Sequence, residues 1–396
     1  MSQLQVPQNT AGALWAMLFG NFLIGTGILL PSGLLNQIAQ EFQIAADVAG
    51  WLALVGGIVV ALGAPVFATW TSKMDRRLLL TGSLMLYGLG HLIAAIVPSF
   101  TLQLFIRAFT VVGAAIFTPQ AAATVGLIMP PNKRAATISF IFIGWSAAAA
   151  AGIPLGNYLA NFMDWRTIYI LMAGLCVAGA VLIWMTLPSG LRVQPLGLDA
   201  WAKAFLNPVL LLVYAVTALS MAGQFTMLTY IAPIMRDGFG VSAGYISIAF
   251  AFVGGAGVLG NSLATRFVLR LGTDQVIAMG LAALAFGFLG FGVFYGHYWP
   301  AMAAAVLWGV GSFSSNSLQQ SRLATLAPSI ASVAIALNTS FVYVGQSSGA
   351  GIGGALLRLQ AMPYMPWMAM ALMLVALALS LVATKLTAPS PTLARR

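Results

Sequence analysis

Long apolar runs separated by short polar breaks make up most of the chain. Most runs extend over about 20 residues, the length that an α-helix needs to cross about 30 Å of hydrocarbon. They lack the alternation of shorter barrel strands, and only helices or closed barrels satisfy backbone hydrogen bonds in lipid. The pattern therefore predicts an all-α membrane protein with twelve transmembrane helices. The predicted spans are 12–34, 48–71, 78–97, 101–129, 136–160, 167–187, 207–231, 243–267, 276–295, 300–326, 332–357 and 366–386.

The polar breaks also predict how the chain is divided. The longest break, residues 188–206, predicts a central cytoplasmic linker between an N-terminal six-helix half, residues 1–187, and a C-terminal half, residues 207–396. The sequence VGGIVVALG at 55–63 in the second span resembles VGGAGVLG at 253–260 in the eighth. Two related halves suit alternating access to a site near the middle of the membrane.

Composition excludes a soluble protein. Hydrophobic residues account for 60% of the 396 positions and charged residues for 6%, whereas about a quarter of a soluble domain is charged. The first apolar run is too long for a signal-peptide core and has no clear cleavage site after it, so we interpret it as a retained span. The single cysteine, Cys176, excludes an intramolecular disulfide.

The net charge of +10 reflects how basic residues are distributed across the membrane. Lys and Arg accumulate in the cytoplasmic loops of membrane proteins. With both termini in the cytoplasm, twelve basic residues are cytoplasmic and three lie outside, which predicts this orientation in the inner membrane. The twelve are Lys73, Arg76, Arg77, Lys133, Arg134, Arg192, Lys203, Arg266, Arg270, Lys385, Arg395 and Arg396. The three outside are Arg166, Arg236 and Arg358.

Other classes of protein lack support in the sequence. An enzyme or metal site would need a cluster of reactive or ligating groups, but His297 lies in an outer loop and Cys176 stands alone. The sequence has no P-loop, which argues against an ATP-driven pump. Its basic residues are scattered over one membrane face, which does not suit nucleic-acid binding. We therefore predict no enzymatic activity, cofactor, metal or nucleic-acid partner, and we keep a channel or sensor as the rival class.

Several motifs resemble a known family. They are LPSGLLNQIA at 30–39, LFIR at 104–107, GIPLG at 152–156, DWR at 164–166 and ALNTSFVY at 336–343. Together they are similar to the major facilitator superfamily. The nearest resemblance is to its bacterial drug:H⁺ antiporter-like branch, which includes arabinose-efflux-permease-like and sugar efflux transporters. The resemblance implies a fold of twelve helices in two halves and a secondary carrier.

The loop after the second span, residues 71–77, resembles the family's basic loop in a reduced form. A carboxylate between arginines pairs across the ends of neighbouring helices, so the resemblance implies a gating role for Asp75, Arg76 and Arg77. A solvated loop that obeys the positive-inside rule is the alternative. In the fifth span, small residues and a proline suit either a sliding contact or tight packing. The predicted gating residues there are Gly152, Pro154 and Gly156.

Ionisable residues at membrane depth are costly and often functional. Arg107 lies in the fourth span and is our first candidate for substrate recognition or coupling, and His91 in the third span lies near it. Arg322 is close enough to the cytoplasmic end of the tenth span to extend its charge to the interface. No Asp or Glu falls in the middle of a span, and Ile28 stands where many efflux relatives carry an acid. This favours a neutral or anionic substrate.

The resemblance also implies which spans line the pathway: the first, fourth, seventh and tenth, with help from the fifth, eighth and eleventh. Amides and phenols there supply directional hydrogen bonds without fixed charge. Each could instead bond to a neighbouring helix. The candidates are Asn21, Gln120, Gln224, Tyr230, Asn316, Gln319, Asn338, Tyr343 and Gln346.

The sequence thus predicts a secondary active transporter that exports a small organic solute by alternating access, with proton antiport implied by the resemblance. Sugar-like, nucleoside-like and drug-like solutes all remain open, so multidrug export is included. The alternative is a facilitator or importer without proton coupling. Membrane lipid is the expected surrounding partner, and the resemblance implies a monomer.

Overall fold

The computed structural model describes residues 10–192 and 198–387, apart from some side chains within these helices. All regular elements in these residues are helical, so the prediction of an all-α protein is confirmed. The long helices are α1 Thr10–Gly33, α2 Trp51–Trp70, α3 Arg76–Ala94, α4 Phe100–Ile128, α5 with its first part at Pro131–Ala147, α6 Trp165–Thr186, α7 Pro208–Leu228, α8 Ala243–Leu271, α9 Thr273–Val293, α10 Tyr298–Leu326, α11 Ala331–Arg358 and α12 Met365–Thr387.

Polar residues in the sequence breaks begin several of these helices. Asp75 accepts hydrogen bonds from the first backbone N–H groups of α3. Ser99, Asp164 and Asn207 cap α4, α6 and α7 in the same way. A capping side chain satisfies a backbone donor that has no partner inside its helix. The short polar breaks therefore end one span and start the next.

The polar breaks contain more helix than the sequence pattern predicts. The first break holds two short helices, Leu35–Glu41 and Ala46–Ala49, and the predicted linker holds Leu198–Leu206. Helix α8 continues to Leu271, four residues beyond its predicted span. Hydropathy marks where a helix leaves the hydrocarbon, whereas backbone hydrogen bonding continues into the polar interface.

Ten helices in the described part of the chain are long and apolar enough to cross a membrane. Helices α10 and α11 are not among the ten, and both carry several Ser, Asn and Gln residues. Polar residues at membrane depth face other helices or a water-filled space. The composition of α10 and α11 therefore suits helices inside the bundle.

The packing of the helices repeats with an offset of six. Helix α3 packs against α4 and α6, as α9 packs against α10 and α12. Helix α2 packs against α4 as α8 does against α10, and α1 against α5 as α7 does against α11. Two further contacts, α2 with α11 and α5 with α8, join α1–α6 to α7–α12.

Helix α5 is interrupted near the proline that the sequence marked for a bend. After Ala147 the backbone forms a π-helical turn, Ala148–Gly152, and then continues as Ile153–Leu159. Pro154 supplies no N–H, so the regular hydrogen-bond ladder cannot pass through it. Gly152 lies directly against Thr26 of α1, where an added Cβ would overlap the threonine side chain. The interruption therefore coincides with a close approach of two helices.

Candidate functional site

A large cavity lies between α1–α6 and α7–α12. It encloses about 1380 Å³ of empty space, including the part open to solvent. Side chains from α1, α4, α5, α7, α8, α10 and α11 line it. The lining residues are Leu29, Thr118, Ile138, Phe142, Trp145, Ser146, Ala149, Met221, Gln224, Phe225, Leu228, Phe250, Val253, Gly254, Asn261, Trp308, Ser312, Gln320, Thr339, Val342, Tyr343 and Gln346.

The chemistry of this lining is aromatic and neutral. Among the described residues the lining contains no Asp, Glu, Lys, Arg or His. Hydroxyl and amide groups lie beside six aromatic side chains. The aromatic residues are Phe142, Trp145, Phe225, Phe250, Trp308 and Tyr343. Such a surface offers apolar area to a ring and hydrogen bonds to its polar edge.

Two polar groups on α11 face the cavity without a protein partner. The Gln346 amide and the Tyr343 hydroxyl make no side-chain hydrogen bond to any residue that the structure describes. On the neighbouring α7, Gln224 Nε2 donates only long bonds of 3.3 Å to Ser220. Buried polar groups are normally paired, so this wall has hydrogen-bonding capacity available for a solute.

One end of the cavity is sealed where α2 meets α11 and where α5 meets α8. We call it the Asp47 end, after Asp47, whose Oδ2 lies 3.3 Å from Arg358 Nε. Nearby, Ser347 Oγ donates to the Leu54 carbonyl at 3.1 Å. On the other seam, Ser247 Oγ donates to Asn157 Oδ1 at 2.8 Å. These bonds hold α1–α6 against α7–α12 at this end.

Tyr230 completes the seal at the Asp47 end. Its hydroxyl donates to the Ala350 carbonyl at 2.9 Å, and its ring lies against Gly353 and Gly354 of α11. Across the seam, Gly50 precedes α2, and a Cβ added there would overlap the Tyr230 hydroxyl. A glycine at position 50 is therefore required for this close approach.

The cavity extends toward the opposite end of the bundle, which we call the Arg76 end. There Arg76 is fully buried and joins α3 to α4 through a hydrogen bond from Nη1 to Gln120 Oε1. Its Nη2 donates to the Ser72 carbonyl at 2.5 Å. Asp75 caps α3 and also accepts a bond from the Gly190 backbone N–H, and Arg77 lies 4.4 Å from the Trp184 ring centroid.

A second arginine, Arg322, joins α9 and α10 in the group α7–α12, as Arg76 joins α3 and α4. Arg322 of α10 lies 3.0 Å from Asp274 at the start of α9, and its side chain is 3% exposed. It also donates to Thr384 of α12 at 3.0 Å. The sequence suggested that Arg322 extends to the interface; the structure shows a buried arginine that pairs with a partly exposed aspartate and joins three helices.

Arg107 lies outside the cavity lining and bonds to backbone. Its Nη1 donates to the Gly27 carbonyl at 2.9 Å, Nη2 to Ile28 at 2.8 Å and Nε to Leu52 at 3.3 Å. Pro31 has no N–H to offer the Gly27 carbonyl four residues earlier, and Arg107 supplies the missing donor. The side chain thereby ties α4 to α1 and α2.

Beside this arginine is a small enclosed space, the Arg107 pocket, which shares no residue with the cavity. Its lining residues are Leu52, His91, Ala94, Gln103, Arg107, Thr110 and Tyr169. The prediction that His91 lies near Arg107 is confirmed. Nδ1 of His91 lies 2.8 Å from the Tyr87 carbonyl of its own helix, so this nitrogen carries the proton.

Three of the predicted binding residues line the cavity: Gln224, Tyr343 and Gln346. The side chain of Asn316 lies outside the described residues. The others are buried between helices. Asn21 Nδ2 donates to the Ile141 carbonyl at 3.2 Å, Asn338 accepts from Thr217 at 2.7 Å, and Gln319 Oε1 has no partner among the described residues. Gln120 bonds to Arg76, and Tyr230 belongs to the seal.

Most of the cavity lining was not predicted from the sequence. Trp145, Trp308 and Phe250 lie in long helices that also carry exposed aromatic residues, such as Trp299 of α10 at 60% exposure. Hydropathy assigns an aromatic residue the same value whether it faces the cavity or the lipid. Asn261 and Gln320 are missed residues with a signal, because an amide inside a long apolar run is unusual.

An all-helical bundle of this length, with a cavity formed between two groups of helices, defines a polytopic membrane transporter. The sequence profile of the Major Facilitator Superfamily matches residues 17–350, and the chain belongs to this family.

Relatives carry transporter names. An uncharacterized MFS-type transporter of Bacillus subtilis, YbcL, is 25% identical over 347 residues, which cover 88% of this chain and 89% of that protein. A protein of Helicobacter pylori named probable sugar efflux transporter is 28% identical and covers 90% and 91%. The inner membrane transport protein YdhP of Escherichia coli is 26% identical and covers 87% and 88%.

A solved structure shares the fold. The inward-facing, unoccupied form of a bacterial homologue of the human lysosomal transporter Spinster gives a TM-score of 0.74 at 16% identity. The alignment covers 97% of this chain and 99% of that one. The helices of this chain are therefore arranged as in that solved structure.

Proposed function

We propose that the protein is a secondary carrier that exports a small, uncharged organic solute across the inner membrane by alternating access. The observation that carries this proposal is the cavity, which both groups of helices line and which has no charged side chain among its described residues. A cavity sealed at one end between two packed groups of helices is the arrangement that alternating access requires.

The proposal includes twelve spans in two halves, residues 1–187 and 207–396, joined by the linker 188–206. The offset of six in the helix packing supports it, because the most extensive contacts within α1–α6 have counterparts within α7–α12. Helices α10 and α11, which hydropathy alone leaves out, occupy the positions that α4 and α5 occupy in the first half.

The direction that the cavity faces follows from charge. Under the positive-inside rule the Arg76 end is cytoplasmic, and the Asp47 end faces the periplasm. The contacts that seal the cavity lie at the Asp47 end, so the protein is in a cytoplasm-facing state. A carrier in this state presents its neutral cavity to cytoplasmic solutes, which is one of the two states through which an exporter passes.

The lining also narrows the substrate class. Neither Arg107 nor Arg322 lines the cavity, so the anionic substrates that the sequence left open find no counter-charge in the described lining. The free groups on Tyr343 and Gln346 suit a hydroxyl or carbonyl, and the aromatic wall suits a ring. The sugar efflux name of the Helicobacter protein agrees with an uncharged, ring-shaped and hydroxylated solute.

The lining favours one alternative, a uniporter that moves solute without protons. Proton antiport needs a group that gains and loses a proton while facing the cavity, and the described lining has no acid or histidine. We therefore assign export to the cavity and treat proton exchange as a separate property. In proteoliposomes, solute accumulation driven by a pH gradient would establish proton antiport. Solute transport at the same rate with and without the gradient would establish uniport.

The proposed function is tested by ligand-induced thermal stabilisation of the purified protein. The panel holds sugars, nucleosides, amino acids, cationic drugs and anionic drugs, because a ligand that binds only the folded state raises its apparent stability. Stabilisation by uncharged solutes, followed by counterflow of the same solutes in proteoliposomes, is the expected result. Stabilisation by lipophilic cations alone would contradict the neutral-solute assignment.

A further inference from the structure

The Arg107 pocket contains a buried positive charge that no acid balances. Arg107 is 5% exposed, and its three hydrogen bonds go to carbonyl oxygens. A guanidinium has five N–H donors, so two remain. The ion pairs within the described residues involve other arginines, and none joins a carboxylate to Arg107. A buried charge without a counter-charge is costly.

Two more polar groups in this pocket lack partners. Gln103 is 2% exposed, and its Oε1 has no hydrogen-bond partner in the described part of the chain. Tyr169 is 4% exposed, and its hydroxyl bonds to none of the described residues, although its ring contacts His91. A terminal amide can rotate to present its NH₂ group, and a phenol can donate its proton. The pocket therefore offers amide, phenol and guanidinium donors around one space.

The size of the space restricts the occupant. It admits about one water-sized particle between its polar walls. Leu52 and Ala94 close it with apolar surface, as part of the apolar cluster that also contains Trp165. A halide ion is slightly larger than a water molecule and would fill this space, whereas a polyatomic anion such as phosphate or a carboxylate substrate is several times larger.

We propose that the Arg107 pocket binds one chloride-sized halide ion, held by the guanidinium of Arg107, the amide of Gln103 and the hydroxyl of Tyr169. The ion balances the buried arginine and links α4 to α6 at the Asp47 end. The site is distinct from the transport cavity, and its occupancy changes the stability of this end of the bundle whatever solute is carried.

The test measures thermal unfolding of the purified full-length protein in sodium chloride, bromide or gluconate at equal ionic strength. A halide site with a dissociation constant of about 10 mM raises the apparent Tm by about 1–3 °C in about 100 mM halide, relative to gluconate. Gln103→Leu and Tyr169→Phe each keep the side-chain volume, so both fold, and each is expected to abolish the difference between halide and gluconate.

Gln319→Leu is the matched control, because Gln319 is also a buried amide with an unpaired Oε1 but lies outside the pocket. This variant is expected to keep the full halide response. Equal Tm values in halide and gluconate would overturn the proposal. So would a halide response that survives in both Gln103→Leu and Tyr169→Phe, since the ion would then bind elsewhere.

Discussion

The cavity and the Arg107 pocket are both spaces inside the bundle, yet they are lined in opposite ways. The cavity is large, lies between α1–α6 and α7–α12, and has no charged side chain in its described lining. The Arg107 pocket is small, lies within α1–α6, and surrounds a buried arginine. The difference supports the proposed separation of solute recognition from fixed charge. Arginines hold helices together, and in the proposed carrier the neutral amides and rings serve the solute.

The largest effect is expected from Arg107→Met. This change leaves the Gly27 carbonyl, which Pro31 cannot pair, without a donor, and a buried unpaired group costs about 1–3 kcal/mol. It also removes the charge-assisted hydrogen bonds to the Ile28 and Leu52 carbonyls. We expect a loss of about 3 kcal/mol or more in stability, visible as a large fall in Tm and in the yield of monodisperse protein. The same solutes should still bind to whatever fraction folds, because Arg107 does not line the cavity.

One result would contradict the separation of the cavity from the Arg107 pocket. If Arg107→Met folds with an unchanged Tm but no longer binds any stabilising solute, then the arginine acts in recognition after all. Asn21→Leu provides the control for a generic loss of one interhelical bond in α1, since Asn21 makes a single bond to the Ile141 carbonyl and lies outside both spaces.

Gln346→Leu is expected to have the converse effect. The side chain keeps its volume but loses an amide that faces the cavity without a protein partner, so the Tm without solute should remain unchanged. One hydrogen bond of about 1–1.5 kcal/mol corresponds to an affinity about tenfold weaker. A dose series of the best stabilising solute measures this shift, with Gln319→Leu as the amide control outside the lining. An unchanged affinity would remove Gln346 from the site.

These two variants show what the sequence could and could not predict. Hydropathy located the long helices within a few residues, because crossing lipid requires a long helix rich in apolar residues whatever the helix packs against. It also marked Arg107 as unusual, because charge at membrane depth is unusual anywhere. It could not tell that the partners of Arg107 are backbone carbonyls, since those depend on the gap left by Pro31 and on how α1 packs.

The aromatic wall was beyond prediction for a related reason. Trp145 faces the cavity and Trp184 is 47% exposed, yet both lie in apolar helices and contribute equally to hydropathy. Only the packing of α5 against α1 and α8 decides that Trp145 points inward. Likewise, Asn21 and Gln346 look alike as polar residues in apolar runs, but one bonds to a neighbouring helix and the other does not.

A smaller effect is expected from altering the seal at the Asp47 end than from altering the cavity or the Arg107 pocket. In Gly50→Ala the new Cβ overlaps the Tyr230 hydroxyl, and overpacking of this kind costs about 1–3 kcal/mol in the sealed state only. The equilibrium should shift toward a state open at the Asp47 end by about tenfold. A cysteine at position 54, in a Cys176→Ala background, should then react faster with a thiol reagent added from outside.

Gly82→Ala is the matched control for this change, because an added Cβ at Gly82 meets nothing within 4 Å. Its labelling rate should equal that of the parent. If Gly50→Ala labels no faster than Gly82→Ala, then Tyr230 does not hold the seal closed.

The smallest effect is expected from Asp274→Asn, and its size distinguishes the two arginines that hold helices at the Arg76 end. Arg76 bonds to a neutral partner, Gln120, whereas Arg322 pairs with Asp274, whose side chain is 36% exposed. Solvent screens a carboxylate at this exposure, so we expect a loss of only about 0.5–1 kcal/mol. Arg322 also keeps its hydrogen bond to Thr384.

Asp199→Asn, which changes an exposed acid outside this pair, is the control. The Tm difference between Asp274→Asn and the parent should shrink as sodium gluconate is raised, because salt weakens the parental ion pair. If the Tm difference does not change with salt, then the asparagine destabilises the protein through its packing and not through the lost charge. Charge pairing would then not distinguish Arg322 from Arg76.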